Sequence, residues 1–184
     1  MSQESVKAAQ LNTIESIKAN PDAARAVYLV DTKLVEDVRC SAKVRDFALM
    51  TVDQPLGMGG QNTAMSPMEL LLVALGSCQE IMYAAYASVM GIPLSKVEVR
   101  LKGYLDKRGM LGMDGAVPSG FQKVSYEVTI DSVADEATLN KLIETVENHC
   151  PATDTFVRPI AITGTVSING GPMKSLREGA VAAA

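Results

Sequence analysis

The side chains best suited to covalent chemistry in this 184-residue chain are its three cysteines, Cys40, Cys78 and Cys150. Their spacing is wide and unequal, so they make neither a disulfide framework nor a C-x-x-C pair of the metal-binding or thioredoxin kind. In a reducing compartment they are thiols at rest. A thiolate can cleave a peroxide O–O bond and become a sulfenic acid, which a second thiol within reach traps as a disulfide before further oxidation. Two cysteines brought together by the fold are the minimum for that cycle. Taken singly, each is as readily a structural thiol, because free Cys packs as a small hydrophobe. Cys40, between Arg39 and Ser41, is read that way. His149 is the single histidine; zinc normally takes at least three protein ligands, so no metal is expected. Gly57-Met58-Gly59-Gly60 lacks the Lys-Ser/Thr ending of a phosphate loop, and no cofactor is expected either.

The elements that must position these thiols can be read from patterning. Ser66-Pro67-Met68-Glu69 combines a favoured N-cap, a proline suited to the first helical position and a glutamate three residues after the cap. A helix is predicted over residues 67–90, stopped by Gly91-Ile92-Pro93. Its stretch 70–75 is apolar all round and needs cover on several sides, more than one sheet supplies. Cys78 lies about eleven residues from the helix start, beyond the reach of the macrodipole, so a cation is needed to favour its thiolate. Cys150 closes a second predicted helix, 135–149, whose Leu139, Leu142, Ile143 and Val146 share one face. Pro151 is expected to force the chain out of helix there, leaving the thiol in a junction.

The remaining pattern gives an N-terminal helical arm over residues 1–25, with an amphipathic helix that carries Val6, Leu11, Ile14 and Ile17 and ends near Asn20-Pro21, then β segments at 26–30, 34–43 and 45–53 as an antiparallel meander. Strands follow at 96–106 and 121–131, joined by a segment, 107–120, long enough for a lid. A last strand at 161–168 precedes a small-residue tail, 171–184, expected to fray. Strands, a buried central helix, two strands, a helix and a final strand make one α+β domain over 26–170. Met58, Met65 and Met82 could line an apolar pocket, or simply the core.

A net charge of −4 without a basic cluster argues against nucleic acid and anionic membranes as partners. The first twenty residues mix Glu4, Lys7, Glu15 and Lys18 with apolar ones, unlike a signal peptide. The longest apolar run falls well short of the roughly 18 residues that span a bilayer, so no transmembrane helix is expected. A cytoplasmic location follows as an expectation.

Ser66-Pro67-Met68-Glu69-Leu70-Leu71-Leu72 leading to Ala74-Leu75-Gly76-Ser77-Cys78, and then Cys150-Pro151 before a final strand, resembles the OsmC/Ohr proteins over residues 26–170. The resemblance implies an intertwined homodimer, with central helices buried between shared sheets. It implies that Cys78 attacks organic hydroperoxides and that Cys150 forms a disulfide with it. It also implies an arginine from the early strands, Arg39 or Arg45, held by a helix-start glutamate. Arg39 is favoured because its distance before Cys78 is closer to the family's spacing. Best-known members place the glutamate directly after the proline, where this chain has Met68 and then Glu69. Nine residues at about 100° each put Glu69 nearly opposite Cys78, and a capping-box role with Ser66 is an even alternative. The expected activity is a cysteine-based peroxidase re-reduced by a dithiol, such as a lipoyl or thioredoxin-like protein. The alternatives are a non-catalytic dimer binding an apolar small molecule, and a thiol redox sensor.

Overall fold

A computed structural model describes residues 2–177 of the chain. Helix α1, Gln3–Ala19, ends at Asn20 as expected and starts three residues before Val6, where Ser2 and Ser5 cap each other's backbone. It lies against helix α2, Pro67–Met90, and Gln3 Nε2 donates to the Ile92 carbonyl at 2.9 Å. Strands β1 (Asp31–Glu36), β2 (Arg39–Lys43) and β3 (Met50–Val52) form an antiparallel sheet in that order, with Cys40 opposite both Leu34 and Val52. The strand expected at 26–30 does not form: residues 27–30 have no ladder partner and are 57% to 91% exposed.

The bounds of α2 are those its signals predict. Ser66 Oγ accepts the Glu69 N–H at the start, and Gly91, with φ of 71°, ends it in the left-handed region that suits glycine. Strand β4 (Lys96–Tyr104) pairs with β5 (Lys123–Asp131) over nine residues, from Lys96 opposite Asp131 to Tyr104 opposite Lys123. The segment between them holds the short helix α3, Lys107–Met110, and folds on itself: a Cβ on Gly109 would sit 2.5 Å from the Val117 and Pro118 carbonyl oxygens. Helix α4, Glu136–His149, follows, capped by Asp135.

Pro151 ends α4 as expected and leaves Cys150 in a junction, but helix resumes at once. Pro151 is the first residue of α5, Pro151–Val157, where its missing N–H is no loss and its fixed φ suits the first turn. Cys150 alone is extended, with φ −72° and ψ 113°, and serves as the last cap of α4 and the first of α5. The final strand is shorter than expected, β6 at Gly164–Val166. It pairs with β7, Lys174–Arg177, so the tail expected to fray from residue 171 is paired to that point. The rest of that expected tail, 178–184, lies outside the described residues.

The core joins Tyr83, Ala87, Ile92, Leu142 and Val146, backed by Met82, Val97 and Val128. It buries one face of α2 against β4, α4 and α5. The expected cover on every side is therefore not met within one protomer: Leu71, Val73 and Ile81 of α2 are exposed, Ile81 by 66%. The β1–β3 sheet makes no sizeable contact with the helices of its own protomer. Averaged over 18 residues, α2 has a hydropathy of 1.4 and is long and apolar enough to cross a membrane, despite Ser77, Gln79 and Glu80. Its packing against β4, α4 and α5 is that of a core helix.

Candidate active site

α2 carries Cys78 about midway along its length, partly exposed, while Cys150 at the α4–α5 joint is 1% exposed. The fold brings Cys150 close enough to act on the Cys78 thiol, and neither cysteine is in a disulfide. Burial is the main influence on Cys78 and pushes its thiol above the usual range. The Ala152 backbone N–H opposes that rise, whereas the neighbouring Cys150 adds to it. No cationic side chain is among the groups acting on this thiol.

Arg39 is engaged elsewhere. At the start of β2 its guanidinium pairs with Glu36 across the β1–β2 turn and donates to Gln61 Oε1 at 3.3 Å. Gln61 belongs to the glycine-rich loop, which Asp53 organises: this 1% exposed carboxylate accepts Gln54 N at 2.8 Å, Thr63 N at 3.0 Å and Thr63 Oγ1 at 2.7 Å. Those bonds, led by Thr63, hold its pKa down at about 2. Arg45, the other candidate, has φ of 46° and lays its guanidinium 4.6 Å from the centre of the Phe47 ring. Cys40 sits in the β1–β3 sheet.

Glu69 Oε2 accepts from Ser66 N at 2.7 Å and from Ser66 Oγ at 2.8 Å, which closes the capping box and lowers the Glu69 pKa. Its Oε1 has no hydrogen-bond partner among the described residues. Of the methionines that could line a pocket or simply the core, Met82 packs on the core and Met65 is exposed.

Sequence reasoning missed a set of polar groups behind Cys150. Tyr126 of β5 donates to Glu147 Oε2 of α4 at 2.5 Å. Burial first, and then Glu147, push Tyr126 up to about 12; Tyr83 reaches about 12 for the same reasons, with Cys150 contributing to both. Gln79, next to Cys78, brings its amide close to the Tyr126 hydroxyl without bonding geometry. Both amide atoms are buried and have no hydrogen-bond partner. Ala152 was missed because Pro151 read as a break rather than as a helix start. The tyrosines, spread over two elements, left no local signal. Among the described residues, no group of three or more His, Cys, Asp or Glu could hold a metal.

Among curated proteins, none matches the chain significantly. Solved structures do. An OsmC-like protein from Mycoplasma pneumoniae is 22% identical with a TM-score of 0.61, covering 71% of this chain and 87% of its own. An organic hydroperoxide resistance protein OsmC from Legionella pneumophila is 18% identical with a TM-score of 0.55, covering 72% of this chain and 92% of its own. A protein assigned to organic hydroperoxide resistance from Vibrio cholerae, with captopril in one of its active sites, is 16% identical with a TM-score of 0.53, covering 72% of this chain and 87% of its own. At these identities the likeness establishes the fold. The family model described as OsmC-like protein matches residues 60–164, more than half of the chain, from the glycine-rich loop through both thiols to β6. By that match and that fold, the chain belongs to the OsmC-like family.

Proposed function

We propose that the protein is a cysteine-dependent peroxidase that reduces organic hydroperoxides as a homodimer in the reducing cytoplasm. The carrying observation is that the packing of α2 on α4 and α5 brings Cys78 and Cys150, from distant parts of the chain, close enough for one thiol to act on the other. In the first step the Cys78 thiolate attacks the peroxide: an S–O bond forms, the O–O bond breaks, and the alkoxide leaves and takes a proton as the alcohol. The Cys150 thiol then displaces the hydroxyl of the sulfenic acid, forming the disulfide and releasing water. A dithiol, such as a lipoyl or thioredoxin-like protein, returns both cysteines to thiols.

Dimerisation accounts for surfaces a lone protomer leaves bare. Residues 27–30, Leu34 and Val35 of β1 and Leu71, Val73 and Ile81 of α2 all leave large apolar side chains exposed, the kind of surface an interface covers. The same assembly is the proposed source of the missing cation. Arg39 of the partner subunit would leave Glu36, approach Cys78, favour its thiolate and polarise the peroxide. Glu69 serves twice in this reading, capping α2 through Oε2 and holding that arginine through Oε1.

The test is steady-state peroxide consumption under a dithiol, comparing cumene hydroperoxide with hydrogen peroxide, with light scattering for the mass in solution. Turnover that favours cumene hydroperoxide, on a dimeric protein, is expected. Stoichiometric oxidation without turnover would make the chain a sensor, and no oxidation at all would leave a binding protein.

A further inference from the structure

The peroxidase cycle needs the Cys150 proton to leave, because thiolate and not thiol attacks the sulfenic sulfur. Cys150 is 1% exposed, so that proton has no direct route to water. We propose that Tyr126 and Glu147 form the proton path of Cys150, carrying its proton from the buried thiol to solvent as the disulfide closes. The proposal rests on the peroxidase reading above.

The geometry that points to it comes from three elements. Glu147 lies three residues before Cys150 in α4, so the two share one side of the helix's last turn. Tyr126 reaches in from β5, and its hydroxyl already donates to Glu147 Oε2 at 2.5 Å. Tyr126 and Glu147 are both open in part to solvent, so the outer end of the path is wet while the inner end is dry. The other titratable groups facing this space are Cys78 and Tyr83 of α2. His149 is turned aside, bonding the Thr145 carbonyl and tilting against the Tyr86 ring. A tyrosine held near 12 passes a proton on but does not stay ionised at neutral pH.

Gln79 supplies a separate indication. Its amide is buried with neither atom paired among the described residues, and a buried polar group without a partner calls for an explanation. It adjoins Cys78 in sequence and Tyr126 in space, where the hydroxyl of a Cys78 sulfenic acid would supply a donor and an acceptor.

The step balances. The Cys150 sulfur is oxidised and the Cys78 sulfur reduced as the S–S bond forms and the S–O bond breaks. The thiol proton passes to the Tyr126 oxygen while the Tyr126 hydrogen passes to Glu147 and on to solvent. The departing hydroxide takes one proton back from solvent, matching the one released there, and leaves as water.

The experiment separates the two half-reactions in wild type, Tyr126→Phe and Glu147→Gln. Rapid mixing with one equivalent of cumene hydroperoxide, with dimedone trapping, times sulfenic acid formation. Mass spectrometry of quenched samples times the disulfide. Both variants should form the sulfenic acid within about twofold of wild type and close the disulfide about a hundredfold more slowly, the scale of a lost general base. In the variants, closure should rise about tenfold per pH unit through neutrality, as hydroxide replaces the path, while wild type varies less. A purely structural defect would slow both steps and leave the pH profile alone. Tyr126→Phe removes one oxygen and keeps the ring, so it decides between the outcomes should Glu147→Gln fail to fold. Unchanged closure and an unchanged pH profile would overturn the proton path with the peroxidase intact. A wild type that forms no sulfenic acid would overturn both.

Discussion

Glu69→Gln separates two jobs that the proposed mechanism gives to one carboxylate. As a cap, Glu69 Oε2 accepts two hydrogen bonds from Ser66, and a glutamine oxygen can accept in the same place. Stability should therefore fall by less than about 0.5 kcal/mol, whereas Glu69→Ala, which loses the cap, should cost about 1 kcal/mol, a drop of roughly 2–4 °C in melting temperature. As a holder of Arg39, the same residue acts through its charge. Two unit charges 4 Å apart interact by about 4 kcal/mol at an effective dielectric constant of 20, an upper bound that exposure reduces to about 1 kcal/mol. One kcal/mol is about fivefold in how often the arginine is in place. Cys78 oxidation should accordingly slow about fivefold in both variants, although only one of them loses stability. The pH dependence has a fixed sign: Ser66 lowers the Glu69 pKa from its usual 4.5, so the cap's ionic contribution is complete above about 4.5 and is lost as the pH falls through the lowered value. Urea unfolding and dimedone-trapping kinetics on the same preparations supply both readouts. Equal destabilisation by Gln and Ala would refute the capping role, and undiminished oxidation in Glu69→Gln would refute the arginine contact.

Other substitutions probe the thiols, the core and the glycine loop. Cys78→Ser should abolish peroxide turnover, whereas Cys150→Ser should retain one attack and then accumulate over-oxidised Cys78, with Cys40 still reduced by mass spectrometry. A Cys40 linkage in the oxidised wild type would sink the assignment. Leu142, with no exposed surface in the core, should lose about 2–5 kcal/mol on truncation to Ala, measured by urea unfolding. A loss under about 1 kcal/mol would mean that the site collapses around the cavity. In Gly60→Ala the new Cβ would fall 1.9 Å from the Gln54 carbonyl oxygen and 2.8 Å from Asp53 Oδ1, so the loop must shift. Limited proteolysis should then cut between residues 54 and 63 sooner than in wild type, and equal cutting would refute the clash.

Where a signal was local, the sequence was informative. Ser66, Pro67, Glu69 and Gly91 each act within one turn of themselves, and α2 begins and ends where they indicate. Alternation over Val97, Val99 and Leu101 marked β4 for the same reason. Residues 27–30 misled, because β-branched and aromatic side chains favour a strand only when a neighbour pairs with it, and the protomer offers none. Pro151 was ambiguous in principle: it stops the helix before it and suits the first turn of another, and only the residues beyond it decide. The site divided along the same line. The two thiols stood out by type and context, whereas the Ala152 N–H has no side chain to notice. Tyr126 and Glu147 meet only because β5 and α4 pack beside each other.

The position of Cys150 between two helices also links oxidation to folding. In the proposed cycle, one extended residue at the joint keeps the second thiol near the first before any peroxide arrives, which would give ring closure a high effective molarity. The ring that closes spans about 70 residues, and such a crosslink removes about 4 kcal/mol of chain entropy from the unfolded ensemble. The oxidised form should therefore melt roughly 8–16 °C above the reduced one. The redox state of a population can then be followed by its thermal denaturation alone, and each encounter with the reductant lowers the temperature at which the chain unfolds.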